Sequence, residues 1–124
     1  MCDFIKFISF SKVINVLNSD LTGEVTIVVG TNDYSSLKRK GNICVAQISI
    51  ILTEFTPWQE AKIATVSYLP VSGLQRNIVI YDTATGNAIN GRLTLNILGV
   101  VSLYATAPIP DSASLKECFT YICQ

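Results

Sequence analysis

The stretch GNICVAQISIIL, Gly41 to Leu52, decides the fold class. Side chains on an extended strand point alternately to opposite faces. Cys44, Ala46, Ile48, Ile50 and Leu52 therefore share one face, and Ile43, Val45, Gln47, Ser49 and Ile51 share the other. The first face is wholly apolar and the second half apolar, the pattern of a strand covered on both sides.

The same two-residue period recurs along the chain. GEVTIVVG supplies Val25, Ile27 and Val29, and AKIATV and RNIVIYD each read as a further strand. In GRLTLNI, Leu93, Leu95 and Ile97 alternate with Arg92, Thr94 and Asn96. VVSLYA follows so closely that a hairpin through Leu98-Gly99 is expected. CFTYIC ends the chain with Phe119, Tyr121 and Cys123 on one face. Turn signals separate these runs: Thr31-Asn32-Asp33, Lys38 to Gly41, Thr56-Pro57, Thr85-Gly86-Asn87, Asn90-Gly91 and Pro108 to Asp111. Short strands broken by turns at this interval predict an all-β, antiparallel sandwich or barrel. Residues 1–20 differ. Phe4, Phe7, Ile8, Ile14 and Leu17 fit a helical stripe, whereas Phe4, Ile8 and Phe10 also fit alternation, so a short N-terminal helix or arm is expected there, ahead of one β domain over 21–124.

Nine basic and nine acidic residues balance in 124, so no global charge points to nucleic acid or an anionic membrane. Only 15% of residues are charged and the mean hydropathy is +0.42, against about 25% charged in an average soluble domain. Such a surface predicts contact between copies of the chain. The longest apolar run is too short for the roughly 18 residues that span a bilayer, so no membrane insertion is expected. Asp3 and the interrupting Lys6 and Lys12 do not fit a signal peptide, which leads to an expectation of synthesis in the cytoplasm.

Chemistry is sparsely provided for. There is no histidine, so a serine or cysteine nucleophile lacks its usual base. Cys2, Cys44, Cys118 and Cys123 show no CxxC spacing, and neither a metal site nor a cofactor is expected. Cys118 and Cys123 lie five residues apart on one strand, about 16 Å, too far to pair with each other; four reduced thiols acting as small hydrophobes is the expectation. Asp33, Glu54, Glu60 and Asp82 sit in or beside turns, where carboxylates are ordinarily solvated or capping. Lys38-Arg39-Lys40 reads as a soluble turn, since nucleic-acid binders carry a broader basic surface. Binding is better served. Tyr34, Trp58, Tyr81, Asp82, Asn87 and Asn90 combine flat apolar faces with planar donors and acceptors, the types that grip sugars, although turns and strand ends favour the same residues for structural reasons.

Four segments carry a family resemblance: SSLKRKGNICVAQISI, TPWQEAKIATVSYLP, INGRLTLNILGVVSLYA and CFTYIC. In order and spacing they resemble the C-terminal head domain of bacteriophage tail fibres and receptor-binding proteins over about 90 of the 124 residues. The family's further aromatic-Arg-Pro segment after Leu-Pro is replaced here by VSGLQRN. The resemblance implies a jelly-roll-like β-sandwich, a homotrimer at a virion fibre tip, and non-enzymatic attachment to a host cell-surface polysaccharide or protein. It also implies that Trp58, Leu69 and Pro70 are architectural, with the indole buried in the core or between subunits. Ligand contacts are expected from loops at one end, with Tyr81, Asp82, Thr85, Asn87 and Asn90 as candidates. The competing readings are a structural trimerisation or capping module without its own receptor, and a sandwich-fold carbohydrate-processing enzyme.

Overall fold

The computed structural model describes residues 20–124. The expected N-terminal helix or arm therefore lies, Asp20 apart, outside the described residues. Ten strands follow one another: β1 (Asp20–Thr22), β2 (Val25–Ile27), β3 (Thr31–Asn32), β4 (Ser36–Lys40), β5 (Ile43–Leu52), β6 (Ala61–Val66), β7 (Leu74–Tyr81), β8 (Ala88–Leu95), β9 (Val100–Ala105) and β10 (Ala113–Ile122). Among the described residues there is no helix. The strands form one antiparallel sheet in the order β1-β4-β5-β10-β7-β8-β9-β6-β2, with β3 also on β5. The sheet curls into a half-barrel around its own apolar face.

The two strands at the ends of that order, β1 and β2, are neighbours in sequence. Gly23 and Glu24 join them and cross between the two edges. Gly23 N donates to Leu37 O next to β1, and Glu24 O accepts from Ser67 N next to β2. Glu24 N also donates to Ser67 Oγ. A Cβ on Gly23 would come within 2.7 Å of Leu37 Cδ2 and 2.8 Å of Ser67 Oγ. A residue without a side chain is thus what lets the connection pass this close to Leu37 and Ser67.

The core is the inner face of that curl. Cys44, Ala46, Ile48, Ile50 and Leu52 of β5 are at most 1% exposed, as their alternation predicts. They meet Phe119 and Leu115 of β10, Leu93 and Leu95 of β8, Val101 and Leu103 of β9, and Ile63 of β6 in one cluster. Strands β5 and β10 are in register over ten residue pairs, Ile43↔Ile122 to Leu52↔Ala113. The outer face of β5 is partly covered as well, with Val45 at 6% and Ser49 at 1% exposure.

The expected hairpin at Leu98-Gly99 is present. Asn96 Oδ1 accepts from the amides of Leu98 and Val100, and Gly99 takes φ 76°. A Cβ there would lie 2.6 Å from Val66 O, so both conformation and space call for glycine.

Three local expectations are corrected. Lys38-Arg39-Lys40 is not a turn but most of β4, paired with Val45, Cys44 and Ile43; the turn contracts to Gly41-Asn42. The triplet fits a strand because alternation keeps Lys38 in solvent while Arg39 lies with its guanidinium 5.2 Å from the Tyr68 ring centre. Asn90-Gly91 is likewise inside β8, opposite Val79 and Ile78; the reversal falls earlier, at Asp82–Asn87. Finally, the thiols are not all reduced. Cys118 is disulfide-bonded, whereas Cys44 and Cys123 are free. Alternation turns Cys118 away from the core that Phe119 and Tyr121 enter.

Candidate functional site

Strands β7, β8 and β9 bury one face and leave the other open. Ile78 and Ile80, Leu93 and Leu95, and Val101, Leu103 and Ala105 point inward. The intervening residues face out, and the register lines them up in rows. Asn77 pairs with Arg92 and Arg92 with Tyr104. Val79 pairs with Asn90, and Gln75 with Thr94. Thr106 joins the Asn90 row by donating from both its amide and its hydroxyl to Asn90 O. Around these rows lies an open depression of about 470 Å³, lined by Gln75, Asn77, Val79, Asn90, Arg92, Tyr104 and Thr106, with Ile78 and Gly91 beneath.

Arg92 organises one side of this floor. Its guanidinium carbon lies 5.2 Å from the centre of the Tyr104 ring, within cation–π range. Beyond the ring, Nη2 donates to Glu60 Oε1 at 3.1 Å. Both partners of that ion pair are about two-fifths exposed, so the pair positions Arg92 more than it stabilises the fold. Nε is buried and makes no hydrogen bond to any described residue. The neighbouring amides of Gln75, Asn77 and Asn90 each offer two donors and an acceptor. All stand on hydrogen-bonded strands, which hold them more rigidly than a loop tip would.

The five residues expected to bind ligand separate into two groups. Tyr81 is 54% exposed at the end of β7. Asp82, Thr85 and Asn87 form the β7–β8 turn and are occupied in making it. Asp82 accepts from Ala84 N and from Thr85 Oγ1, Asn87 N donates to Thr85 Oγ1, and Asp82 N and O close the reversal with Asn87 O and Gly86 N. The Thr85 hydroxyl, then the Ala84 amide, holds the Asp82 carboxyl below its ordinary value. Only Asn90 reaches the polar floor. Sequence alone does not name its partners there, because cross-strand register is not written in any one segment, although the polar half of each alternation, Gln75-x-Asn77 and Asn90-x-Arg92-x-Thr94, is legible.

Of the residues expected to be architectural, Leu69 and Pro70 lie against the C-terminal end of the chain. Pro70 is buried and bridges Cys123, while Leu69 O accepts from Gln124 N. Trp58 does not fill this chain's core: its indole is 62% exposed in the loop between β5 and β6. Tyr34 is 88% exposed at φ 65°. Among the carboxylates, Asp33 faces Lys116 at 3.9 Å and Glu60 holds Arg92. Among the described residues no group of three or more His, Cys, Asp or Glu could hold a metal ion. No protein-family model matches the chain, and no curated protein is similar to it.

Proposed function

We propose that the chain is a non-enzymatic adhesion head that binds a cell-surface saccharide on the outer floor of β7, β8 and β9. One observation carries this: three planar amides and the Arg92 guanidinium surround a shallow depression on rigid strands. Sugars present dense arrays of hydroxyls, which amides and guanidinium groups match with paired donors and acceptors. The Tyr104 face is already covered by Arg92, so recognition here would be by hydrogen bonding rather than ring stacking. Of the sequence candidates Asn90 remains a ligand contact, and Asp82, Thr85 and Asn87 become the turn that sets the β7–β8 register.

The fibre-head reading extends this. In it the two halves of the curled sheet are the leaves of a jelly-roll-like sandwich, three copies meet at a virion fibre tip, and weak sites gain strength from multivalency. Its support is the four resembling segments, the low charge, and an apolar depression lined by Ile43, Val71, Leu74, Tyr121 and Ile122 where copies would meet. The same depression favours the structural alternative, a trimerisation or capping module with no receptor of its own.

A glycan array probed with the full chain separates the two. Binding that an Asn77→Ala, Asn90→Ala double variant loses supports the saccharide head. Silence across bacterial surface polysaccharides favours the capping module. Light scattering at low concentration tests assembly: a 13.5 kDa species would remove the trimer.

A further inference from the structure

We propose that Cys44 and Cys123 close a buried disulfide that fastens the C-terminal end of the chain to β5 in an oxidising thiol–disulfide environment. Cys44 is 0% and Cys123 4% exposed, both carry free thiols, and their sulfurs lie 2.7 Å apart. The two residues face each other because Tyr121 is opposite Cys44 in the β5–β10 ladder, which puts Cys123 on the diagonal of the same inner face. Main-chain contacts hold that geometry. Cys123 N donates to Asn42 O, Gln124 N donates to Leu69 O, and Pro70 bridges Cys123. Moving two sulfurs to the roughly 2.05 Å of a covalent bond takes less than about 1 Å of travel. Cys118 is already disulfide-bonded, so the chain is compatible with conditions that would oxidise this pair as well.

The reaction is ordinary exchange with a low-molecular-weight disulfide, for which oxidised glutathione is the probe. The Cys123 thiolate attacks one glutathione sulfur and releases one glutathione thiol. Cys44, giving up its proton, then attacks the Cys123 sulfur and releases the second. Two protein thiols lose two electrons and two protons, and one oxidised glutathione becomes two thiols. In the folded chain burial, then the neighbouring Cys123, pushes the Cys44 thiol up to about 12. The attacking species is the thiolate, so closure belongs to folding, when both sulfurs meet solvent, rather than to the finished fold.

The bond would close a loop spanning 79 positions and restrict the unfolded chain accordingly. The expected gain in Tm is on the order of 10 °C. The full chain is refolded in a glutathione redox buffer, alkylated in denaturant and cut with chymotrypsin. Cleavage after Phe119 and Tyr121 separates Cys118 from Cys123. A linked Cys44–Cys123 peptide pair, with a Tm above that of protein refolded with reductant, is the expected result. Cys123→Ser should lose both while keeping the Cys118 bond. Full alkylation of both Cys44 and Cys123 after oxidative refolding overturns the proposal, as does Cys123 linked to another cysteine or a link that leaves Tm unchanged. The peptide map of the unaltered chain decides even where the variant does not fold.

Discussion

The β5–β10 pair and the β7–β8–β9 floor are built from the same antiparallel ladder and put to opposite uses. In β5 the inner face is sealed and the outer face carries Val45 and Ser49 at 6% and 1% exposure. In β7 the inner Ile78 and Ile80 are also buried, but the outer Gln75, Asn77 and Val79 are open to solvent. One wall is therefore sealed on its inner side, partly covered on its outer side, and serves cohesion. The other spends one side on cohesion and leaves a polar, rigid surface free. Burial of the shared core makes the second use possible: the floor is positioned by the apolar residues beneath it.

The contrast can be broken most strongly from the cohesive side. Among the described residues Phe119 is the largest fully buried side chain, and it stands opposite Ala46. Phe119→Ala should cost about 3–5 kcal/mol in urea denaturation and abolish binding only through unfolding. Gly99→Ala comes next. It places a Cβ 2.6 Å from Val66 O at φ 76° and should cost about 2 kcal/mol by the same measurement; no loss would mean the β8–β9 turn relaxes freely.

Alkali sharpens the comparison. Cys44, raised from 9.0 to about 12 by burial and then by Cys123, binds its proton more tightly folded than unfolded. Its stabilising contribution is complete below pH 9 and is lost as pH rises toward 12. Tyr121 is shifted upward too, chiefly by burial, and acts in the same sense. Urea midpoints of the reduced chain should therefore fall between about pH 8 and about pH 11. Oxidation of the cysteine pair should lessen that fall. The smallest stability effect belongs to the floor: Asn77→Ala should change stability by no more than about 0.5 kcal/mol while weakening saccharide binding, a separation that equilibrium unfolding and the array together reveal.

Where alternation is uninterrupted, as in Gly41–Leu52 and Cys118–Cys123, the sequence announces strand, face and burial together. Strand β4 was hidden because three consecutive cations look like a turn when hairpin pairing is not in view. Asp82, Thr85 and Asn87 admit two readings at the sequence level, because the side chains that bind sugars are also those that bond their own backbone in turns. The floor itself was legible only in halves. Gln75 and Asn77 lie on one segment, Asn90 and Arg92 on a second and Tyr104 on a third, and only register brings them side by side. Trp58 is a different case: a large ring is expected in the core or between subunits, and composition does not say which loop carries it to the surface of the chain.

The central claim, that the open face of β7, β8 and β9 is the binding surface, is tested most directly by amide chemical-shift mapping with the oligosaccharide that gives the strongest array signal. Perturbations concentrated at Asn77, Asn90, Arg92, Tyr104 and Thr106, with Ile48 and Phe119 unmoved, are predicted. Perturbations confined to the Asp82–Asn87 turn or to the loop bearing Trp58 would contradict it.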